Sequence, residues 1–356
     1  MILKHLACAM ALALSTAAAH AEDWPARASQ RDIVLKDFGF TGGEHMDVRM
    51  HVTTLGTPHR DASGQIDNAV MVLHGTGGTG AQFFRPQFAD ELYGPGQPLD
   101  IARYYVILPD NLGHGASSKP SDGLRMRFPH YAYADMVQAQ KRMLEEGLGV
   151  HSLQLILGTS MGCMHAFVWG TTYPGFARRL APFACNAVEL AGRNRIWRRM
   201  SIDAIERDPT WNNGNYAQEP EQGRQEERDI ALIAGSSPLA WQVAYPTRES
   251  AEAFLTRART DQLASDNDAN DTIYQLDASR SYNPAPLLSR ITVPVLWVNS
   301  ADDFINPPEL GLAQQQVKLM PRARFVLIPA SADTHGHGTH TWAKFWKADL
   351  TRLMAQ

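Results

Sequence analysis

The sequence predicts an α/β fold in which a mostly parallel central sheet is flanked by helices. Three observations support this fold class: short apolar runs recur along the chain, helix-like segments such as 131–144 and 339–354 separate or follow them, and one further segment alternates between apolar and polar residues. Continuous apolar runs are typical of strands that a parallel sheet buries on both faces. The runs span residues 69–73, 104–108, 153–157, 180–184, 293–298 and 324–328.

The alternating segment covers residues 46–54 and follows a polar N-terminal arm; its pattern predicts an antiparallel strand. Residues 187–286 break the rhythm of the sheet because they are polar, rich in Arg and Asn, and contain helix-like pieces without a buried strand. We therefore predict a helical cap that is inserted into an α/β core formed by residues 22–186 and 287–356.

The first 21 residues have the pattern of a secretory signal peptide. Lys4 supplies a positive start, residues 6–14 form a short apolar stretch, and small residues follow up to an Ala-His-Ala sequence before Glu22. Nine apolar residues are too few to span a bilayer, and no later apolar run reaches about 18 residues. We therefore expect a periplasmic or secreted protein whose mature chain does not insert into a membrane.

The composition excludes several classes of protein. The 356 residues are 44% hydrophobic and 20% charged, which suits one large globular domain with an insertion and not a disordered chain. The formal net charge of −4 provides no basic face, so nucleic acid is not an expected partner. Cys163 and Cys185 lie in apolar segments, where two buried free cysteines are expected, although the sequence leaves a disulfide open.

Residues 158–162 (Gly-Thr-Ser-Met-Gly) match the pattern Gly-x-Ser-x-Gly between an apolar strand and a segment that can start a helix. A serine on such a tight turn needs small flanking residues because its backbone is strained. The N-terminus of the following helix favours the negative charge that develops during nucleophilic attack. Ser160 is therefore predicted to be a nucleophile, and a purely structural turn is the alternative.

A nucleophilic serine needs a base, and the base needs an acid that orients it. In the fold that carries the Gly-x-Ser-x-Gly turn, the chain order is serine, acid, histidine. Two adjacent acids, Asp302 and Asp303, follow the late strand at 293–298. The usual hydrolase spacing places a proline four residues after the acid, and Pro307 therefore selects Asp303. Spacing alone leaves Asp302 open as the alternative.

The base is expected in the loop after the last strand, where three histidines stand within six residues. Loops of this kind contain a Gly-His pair, which selects His337 over His335 and His340. Such a cluster could also ligate zinc. No carboxylate or cysteine completes a known metal-binding spacing, so no metal is expected.

Two backbone amides should form the oxyanion hole. One is predicted to come from Met161, directly after the nucleophile, and the other from Thr76 in the loop after an early strand. Residues 75–80 of that loop also match Gly-x-Gly-x-x-Gly, which leaves a Rossmann-type oxidoreductase as an alternative of a different class. That motif needs an acid about 20 residues later, and the next strand ends some 30 residues later at Asp110.

Beyond these motifs, the chain resembles the homoserine O-acetyltransferase-like group of α/β-hydrolases. The sequence Gly-Thr-Ser-Met-Gly-Cys-Met-His-Ala around Ser160 is similar to that of the group, and so is Asp-Phe-Ile-Asn-Pro-Pro-Glu from Asp303. The inserted segment shares an ordered set of residues with the group: Asn194, Arg195, Ile202, Ala204, Ile205, Asp208, Pro209, Trp211, Gly214 and Tyr216. The resemblance implies an α/β-hydrolase fold, a triad of Ser160, His337 and Asp303, and an acyl-enzyme intermediate. By position, it also implies that Arg228 holds a substrate carboxylate.

Two departures from the group favour water as the acyl acceptor. In its acetyltransferases an aspartate follows the catalytic histidine and meets the substrate amine, whereas Gly338 occupies that place here. The predicted oxyanion segment is rich in glycine rather than apolar. Acetyl-CoA, moreover, is not expected outside the cytoplasm.

These observations predict an exported serine hydrolase, an esterase that acts on a small-molecule ester without a cofactor. Acyl transfer to a small alcohol, as in the homoserine O-acetyltransferases, is the alternative. A non-catalytic binding protein on the same fold is a third candidate, because a fold does not fix a function. A homodimer is one oligomeric state that the sequence leaves open.

Overall fold

Eight strands form one sheet at the centre of the computed structural model, which describes residues 22–263 and 268–356. In chain order the strands are β1 (Ser29–Gly39), β2 (His45–Leu55), β3 (Ala69–Leu73), β4 (Tyr105–Pro109), β5 (Leu155–Thr159), β6 (Leu180–Phe183), β7 (Val295–Ser300) and β8 (Ala323–Ile328). Across the sheet their order is β1-β2-β4-β3-β5-β6-β7-β8. The predicted signal peptide, residues 1–21, lies outside the described residues.

Strand direction divides the sheet into two parts. The β1–β2 and β2–β4 pairs are antiparallel, and every pair from β4 to β8 is parallel. The six apolar runs coincide with β3 to β8, and the alternating segment 46–54 lies within β2. The polar arm before β2, for which no strand was predicted, forms β1. Only three of its apolar side chains are buried, which explains its polar appearance: Ile33, Leu35 and Phe38.

Helices cover both faces of the sheet and pack against alternate side chains of the strands. In chain order the α-helices of the described residues, including those of the segment between β6 and β7, are α1 (Pro86–Leu92), α2 (Tyr133–Arg142), α3 (Met161–Thr172), α4 (Gly192–Arg207), α5 (Glu221–Ala234), α6 (Pro238–Ala244), α7 (Arg248–Leu263), α8 (Ala269–Asp277), α9 (Leu312–Gln316) and α10 (Lys347–Met354). Met71 of β3 faces the hydrophobic core that contains α2 and α3, whereas Val70 and Val72 face the core that contains α1 and α10. Each fully buried side chain of this size contributes about 1.5–3 kcal/mol relative to exposure.

The described residues between β6 and β7, which exclude 264–267, form the five α-helices α4 to α8 and fall in the region where a helical insertion was predicted. Part of this segment has a small hydrophobic core of its own, in which Ile202 and Ile205 of α4 pack with Ile273 and Leu276 of α8. None of the helices in the described ranges combines the length and the apolar character needed to cross a bilayer.

A helix was predicted over 339–354, but the regular α-helix α10 begins only at Lys347. Short 3₁₀ turns precede it. The Thr339 hydroxyl accepts a hydrogen bond from the backbone N–H of His335, and the Thr341 hydroxyl donates to the carbonyl of Gly338. Such local bonds between hydroxyls and the backbone compete with the regular helical pattern.

Cys163 and Cys185 are joined by a disulfide, with a Cα–Cα distance of 5.9 Å. Both side chains are buried as expected, but the expectation that they are free is wrong. The bond connects α3 to the turn that follows β6. These segments are neighbours because β5 and β6 pair in parallel and end at the same edge of the sheet. Sequence spacing does not reveal such a tertiary neighbourhood.

Candidate active site

Ser160 lies at the turn between β5 and α3, and its backbone adopts φ 55° and ψ −111°. A residue other than glycine with positive φ is uncommon and indicates local strain. Gly158 and Gly162 are required because backbone carbonyl groups approach them too closely to leave room for a side chain. A Cβ on Gly158 would lie 1.9 Å from the carbonyl oxygen of Gly162, and a Cβ on Gly162 would lie 2.2 Å from that of Leu73. The pattern Gly-x-Ser-x-Gly is thus a packing requirement of this turn.

A continuous chain of hydrogen bonds connects three side chains at this edge of the sheet. The Ser160 hydroxyl lies 2.8 Å from Nε2 of His337, and Nδ1 of His337 lies 2.9 Å from Oδ2 of Asp303. With the proton on Nδ1, the ring donates to Asp303 and leaves Nε2 free to accept the Ser160 proton. The structure therefore brings together the serine, the histidine and the favoured acid of the sequence prediction.

Asp303 is only 2% exposed, and its environment stabilises the ionised form. Burial alone would raise the pKa of its carboxyl group. The charge interaction with His337 and the hydrogen bonds from His337 and Asn306 outweigh this effect and lower the pKa below its usual value. The backbone N–H of Ile305 also donates to this carboxylate at 2.8 Å. A carboxylate held in this way orients the ring of His337.

Asp302 has a different set of partners. Its Oδ2 atom accepts hydrogen bonds from the hydroxyl of Ser237 at 2.7 Å, the hydroxyl of Thr334 at 2.8 Å and the backbone N–H of Gly336 at 3.0 Å. Burial would raise the pKa of Asp302, but these bonds and one from Ser300 lower it. Asp302 therefore connects the loop that carries His337 to the inserted helices, a role that spacing did not suggest.

The other two histidines of the loop do not occupy the position of His337. The ring of His335 stacks on Trp342 with centroids 4.2 Å apart. His340 donates through Nδ1 to the carbonyl of His337, and burial together with the proximity of His337 lowers its pKa to about 3. No group of metal-ligating side chains with suitable geometry occurs within residues 22–263 and 268–356.

The two amides predicted to form an oxyanion hole belong to segments that adjoin Ser160. Met161 is the first residue of α3, where backbone N–H groups have no acceptor within the helix. Thr76 lies in the loop after β3, and this loop approaches Ser160 closely. A Cβ on Gly75 would lie 3.2 Å from Cβ of Ser160. The loop that contains Thr76 and the first turn of α3 therefore both lie next to Ser160.

The peptide between Gly75 and Thr76 is held in one orientation. The Gly75 carbonyl accepts hydrogen bonds from Nδ1 of His74 at 2.8 Å and from the backbone N–H of Gly78 at 3.0 Å. Because a trans peptide directs its C=O and N–H in opposite directions, these bonds also fix the direction of the Thr76 N–H. The sequence analysis did not predict this role of His74. Its position directly after β3, next to the predicted oxyanion loop, could have indicated the role.

His74 belongs to a buried polar network beneath α3. Its Nε2 atom accepts a hydrogen bond from the backbone N–H of Asn111 at 3.0 Å, and Gln140 extends the network to His165 and Trp169. Burial lowers the pKa of His74, and it lowers that of His165 to about 3. Because Nδ1 of His74 donates to a carbonyl and Nε2 accepts an N–H, this ring has the hydrogen-bonding pattern of a neutral imidazole.

The glycine-rich loop packs closely against β4 and the turn that follows it. Asp110, the acid that follows β4, accepts hydrogen bonds from the backbone N–H groups of Gly80 at 2.8 Å and Ala116 at 2.9 Å. A Cβ on Gly80 would lie 2.6 Å from the carbonyl oxygen of Leu108. Packing between the loop and β4 therefore accounts for Gly80, and Asp110 is a structural acceptor.

Arg228 lies on α5 and is partly buried. Burial and the charge of Arg224 lower its pKa, whereas Glu227, Glu221 and Glu219 raise it. All of these neighbours belong to the inserted segment. Within the described residues, Arg228 makes no hydrogen bond to Ser160, His337 or Asp303. Among the described residues, the structure thus shows no hydrogen bond between this predicted carboxylate-binding residue and the other three, and Nη1 of Arg228 is buried without a partner.

A cavity of about 1020 Å³ opens between the inserted helices and the loop after β7. Asp303 lines one side of it, and its walls also include Ile233, Ile305 and Leu310. The cavity therefore provides a largely apolar space next to the group that holds His337.

Comparison with known proteins agrees with this architecture. Residues 68–334 match the family described as alpha/beta hydrolase fold. A homoserine O-acetyltransferase from Thermobifida fusca is 31% identical over 343 residues, which covers 83% of this chain and 85% of that protein. The chain therefore belongs to the α/β-hydrolase family and, within it, to the homoserine O-acetyltransferase-like group. The predicted fold class and family resemblance are confirmed.

Solved structures show the same fold. A homoserine O-acetyltransferase from Bacillus anthracis superimposes with a TM-score of 0.81 at 21% identity, covering 92% of this chain and 98% of that chain. An acetylester hydrolase from Corynebacterium glutamicum superimposes with a TM-score of 0.79 at 20% identity, covering 92% and 96%. Proteins named as transferases and as hydrolases thus share this fold, and the fold alone does not separate the two activities.

Proposed function

We propose that this chain is an exported serine esterase in which Ser160, His337 and Asp303 form a catalytic triad. The observation that carries the proposal is the chain of hydrogen bonds from Ser160 through His337 to Asp303, at 2.8 and 2.9 Å. This arrangement matches the roles of nucleophile, general base and orienting acid.

The proposed reaction begins when the Ser160 hydroxyl attacks the ester carbonyl carbon while His337 takes the hydroxyl proton. The negative oxygen of the tetrahedral intermediate receives hydrogen bonds from the N–H groups of Thr76 and Met161. The C–O bond to the alcohol breaks, and His337 gives its proton to the leaving alcohol. Water then attacks the acyl-enzyme with His337 as base, releasing the carboxylic acid and restoring Ser160.

The position after His337 supports water as the acceptor. Gly338 offers no side chain, whereas the acetyltransferases of the resembling group carry an aspartate there that meets the substrate amine. The nearest side-chain atom to a Cβ built on Gly338 is Cβ of His335 at 3.7 Å, an ordinary contact. This position therefore has room for a side chain and carries no charged group that could hold an amine.

An exported location is supported by two features. Residues 1–21 carry the signal-peptide pattern, and Cys163 and Cys185 form a disulfide. Disulfides persist in oxidising compartments such as the periplasm and are rare in the cytosol. Acetyl-CoA is not expected there, which again favours hydrolysis.

Acyl transfer is the second candidate, and one observation favours it. The protein from Thermobifida fusca, to which this chain is 31% identical over most of its length, is named a homoserine O-acetyltransferase. Both activities would use the same acyl-enzyme, and they differ only in the group that attacks it.

Two assays test the proposal together. A fluorophosphonate probe should label Ser160, and a panel of p-nitrophenyl esters of rising chain length should be hydrolysed. Ser160→Ala should abolish labelling and reduce the hydrolysis rate by about 10³-fold or more. Labelling that persists in the Ser160→Ala variant would refute the nucleophile. Stoichiometric O-acetylhomoserine from acetyl-CoA and homoserine would establish acyl transfer in place of hydrolysis.

A further inference from the structure

Asn306 is a buried amide whose hydrogen bonds connect the acid of the proposed triad to the turn after β6. The residue is 3% exposed. Its Nδ2 atom donates to Oδ2 of Asp303 at 3.0 Å and to the carbonyl of Ala184 at 3.1 Å. Its Oδ1 atom accepts from Nδ2 of Asn186 at 3.4 Å. The reverse orientation of the amide would place its oxygen against two acceptors, so these contacts fix the direction of both ends.

The turn after β6, residues 183–185, is also attached to the segment that carries Ser160. The carbonyl of Phe183 accepts a hydrogen bond from the backbone N–H of Ser160 at 2.8 Å. Cys185 is joined by the disulfide to Cys163, which lies in the first turn of α3. The proposed nucleophile and the proposed acid are therefore connected to neighbouring carbonyl groups of one short segment.

This segment is held in a single conformation. Ala184 has a φ of 63°, which a residue with a side chain keeps only where its surroundings impose it. Its backbone N–H donates to the carbonyl of Val298 at 2.8 Å. Asn299 binds both sides of the next peptide group, because its Oδ1 accepts from the N–H of Cys185 at 3.2 Å and its Nδ2 donates to the carbonyl at 3.1 Å. The carbonyl that Asn306 contacts thus has a defined position.

The two oxygens of Asp303 depend on different donors. Oδ1 accepts from the backbone N–H groups of Ile305 at 2.8 Å and Asn306 at 3.1 Å, which most other residues at these positions would also supply. Oδ2 lies 2.9 Å from Nδ1 of His337, and its second donor is the side chain of Asn306. Without that side chain, the oxygen that contacts the ring is no longer tied to the turn after β6.

We propose that Asn306 is a positioning residue of the triad, which fixes Oδ2 of Asp303 at the distance from Ser160 that His337 can bridge. The proposal rests on the esterase function proposed above and adds a residue outside the triad on which the rate depends. Asn306 acts through Asp303 and is therefore not itself a catalytic residue. Its effect is geometric, because a misplacement of about 1 Å in the reacting groups can reduce a rate by about 10²-fold.

The substitution Asn306→Leu tests this role, because it removes the side-chain donor and leaves the backbone N–H in place. We expect kcat/KM for p-nitrophenyl acetate and the rate of fluorophosphonate labelling to fall together by about 10- to 100-fold. Asn306→Ala is the second variant, which avoids the larger apolar side chain, and both rates should fall in it as well. Unchanged rates in a folded variant of either kind would contradict the proposal.

The matched control is Asn270→Leu in α8. Asn270 is also a buried asparagine, 1% exposed, and its side chain accepts from Nε1 of Trp211 at 2.9 Å and donates to the carbonyl of Gly214 at 3.0 Å. Asn270→Leu should destabilise the protein, as removal of a buried hydrogen-bonding group does, and leave both rates unchanged. A thermal melt of each variant establishes that it is folded.

A proton NMR measurement separates positioning from general destabilisation and needs no turnover. The downfield resonance of the His337 Nδ1–H, assigned by its absence from His337→Gln, reports the hydrogen bond to Asp303 directly. It should shift or broaden in Asn306→Leu and Asn306→Ala and stay unchanged in Asn270→Leu. A resonance that does not change in a folded Asn306 variant would overturn the positioning role, whatever the rates. A shifted resonance in a protein that hydrolyses no ester would support the positioning role and refute the esterase function instead.

Discussion

The Nδ1 atom of His337 lies 2.9 Å from the carboxylate of Asp303. The adjacent Asp302 accepts a hydrogen bond from the backbone N–H of Gly336, in the loop that carries His337. Asp303 orients the ring, and Asp302 holds the loop that carries the ring. Two adjacent acids thus position one histidine, Asp303 by direct contact with the ring and Asp302 through the backbone of its loop. The following predictions separate these effects from each other and from the choice of acyl acceptor.

The two acids should respond differently to removal of their charge. Asp303→Asn should lower kcat/KM for a p-nitrophenyl ester by up to about 10⁴-fold, because the amide favours the wrong tautomer of His337. Asp302→Asn should have a far smaller effect on the rate. It should lower the free energy of unfolding by about 1–3 kcal/mol, since Oδ2 loses charge-assisted hydrogen bonds. A larger loss of rate in Asp302→Asn than in Asp303→Asn would reverse the assignment.

The contribution of Asp302 to stability should depend on pH. Its pKa is lowered in the folded state, so its carboxylate stabilises the fold above the unfolded pKa of about 4. This contribution is lost as the pH falls through the lower pKa of the folded protein. The difference in unfolding free energy between the unmodified protein and Asp302→Asn should therefore be large at pH 7 and shrink toward pH 3. Urea denaturation at both pH values measures it, and a constant difference would contradict the linkage.

The residue after His337 should govern the choice of acyl acceptor. We expect millimolar homoserine to change neither the hydrolysis rate nor the products of the unmodified protein, because Gly338 cannot bind the amine. Gly338→Asp should raise any trace formation of O-acetylhomoserine, measured by mass spectrometry, since the position has room for a side chain. Gly338→Asn is the control of equal size without charge. Equal transfer by the two variants would place the specificity elsewhere, in the inserted helices.

The disulfide should stabilise the edge of the sheet at which Ser160 lies. The Cys163–Cys185 bond closes a loop with a sequence separation of 22 residues, and loops of this length stabilise by about 3 kcal/mol in the chain-entropy model. The double variant Cys163→Ala, Cys185→Ala should lose free energy of unfolding of this order. Dithiothreitol should destabilise the unmodified protein and leave the double variant unaffected. Equal sensitivity of both proteins to the reductant would refute this role.

The sequence was most informative where function depends on neighbours in the chain. Ser160 could be identified because the turn requires glycine at 158 and 162, and these positions lie within the same five-residue motif. Asp303 and His337 could be located because each follows a strand whose apolar run is visible. The chain order of the hydrolase fold then assigned them their places.

Interactions between distant segments could not be predicted. Trp169 donates a hydrogen bond to Gln140 although the two are 29 residues apart in sequence, and neither carries a local pattern that indicates the other. The same holds for Ser237, which binds Asp302 from an inserted helix. The edge strand β1 was missed for another reason, since it pairs only with β2 and exposes most of its side chains. Its composition therefore looks like that of a loop.

The backbone conformation of Ser160 has a consequence for how this protein could evolve or be engineered. Positive φ at a residue with a side chain costs on the order of 1–3 kcal/mol, and glycine adopts such conformations at little steric cost. A library ranked only by resistance to heat would therefore enrich glycine at residue 160 and discard the hydroxyl of the proposed nucleophile. Under the proposed function, thermal robustness and chemical reactivity compete at this one position, so improvement of one without loss of the other must come from residues elsewhere in the chain.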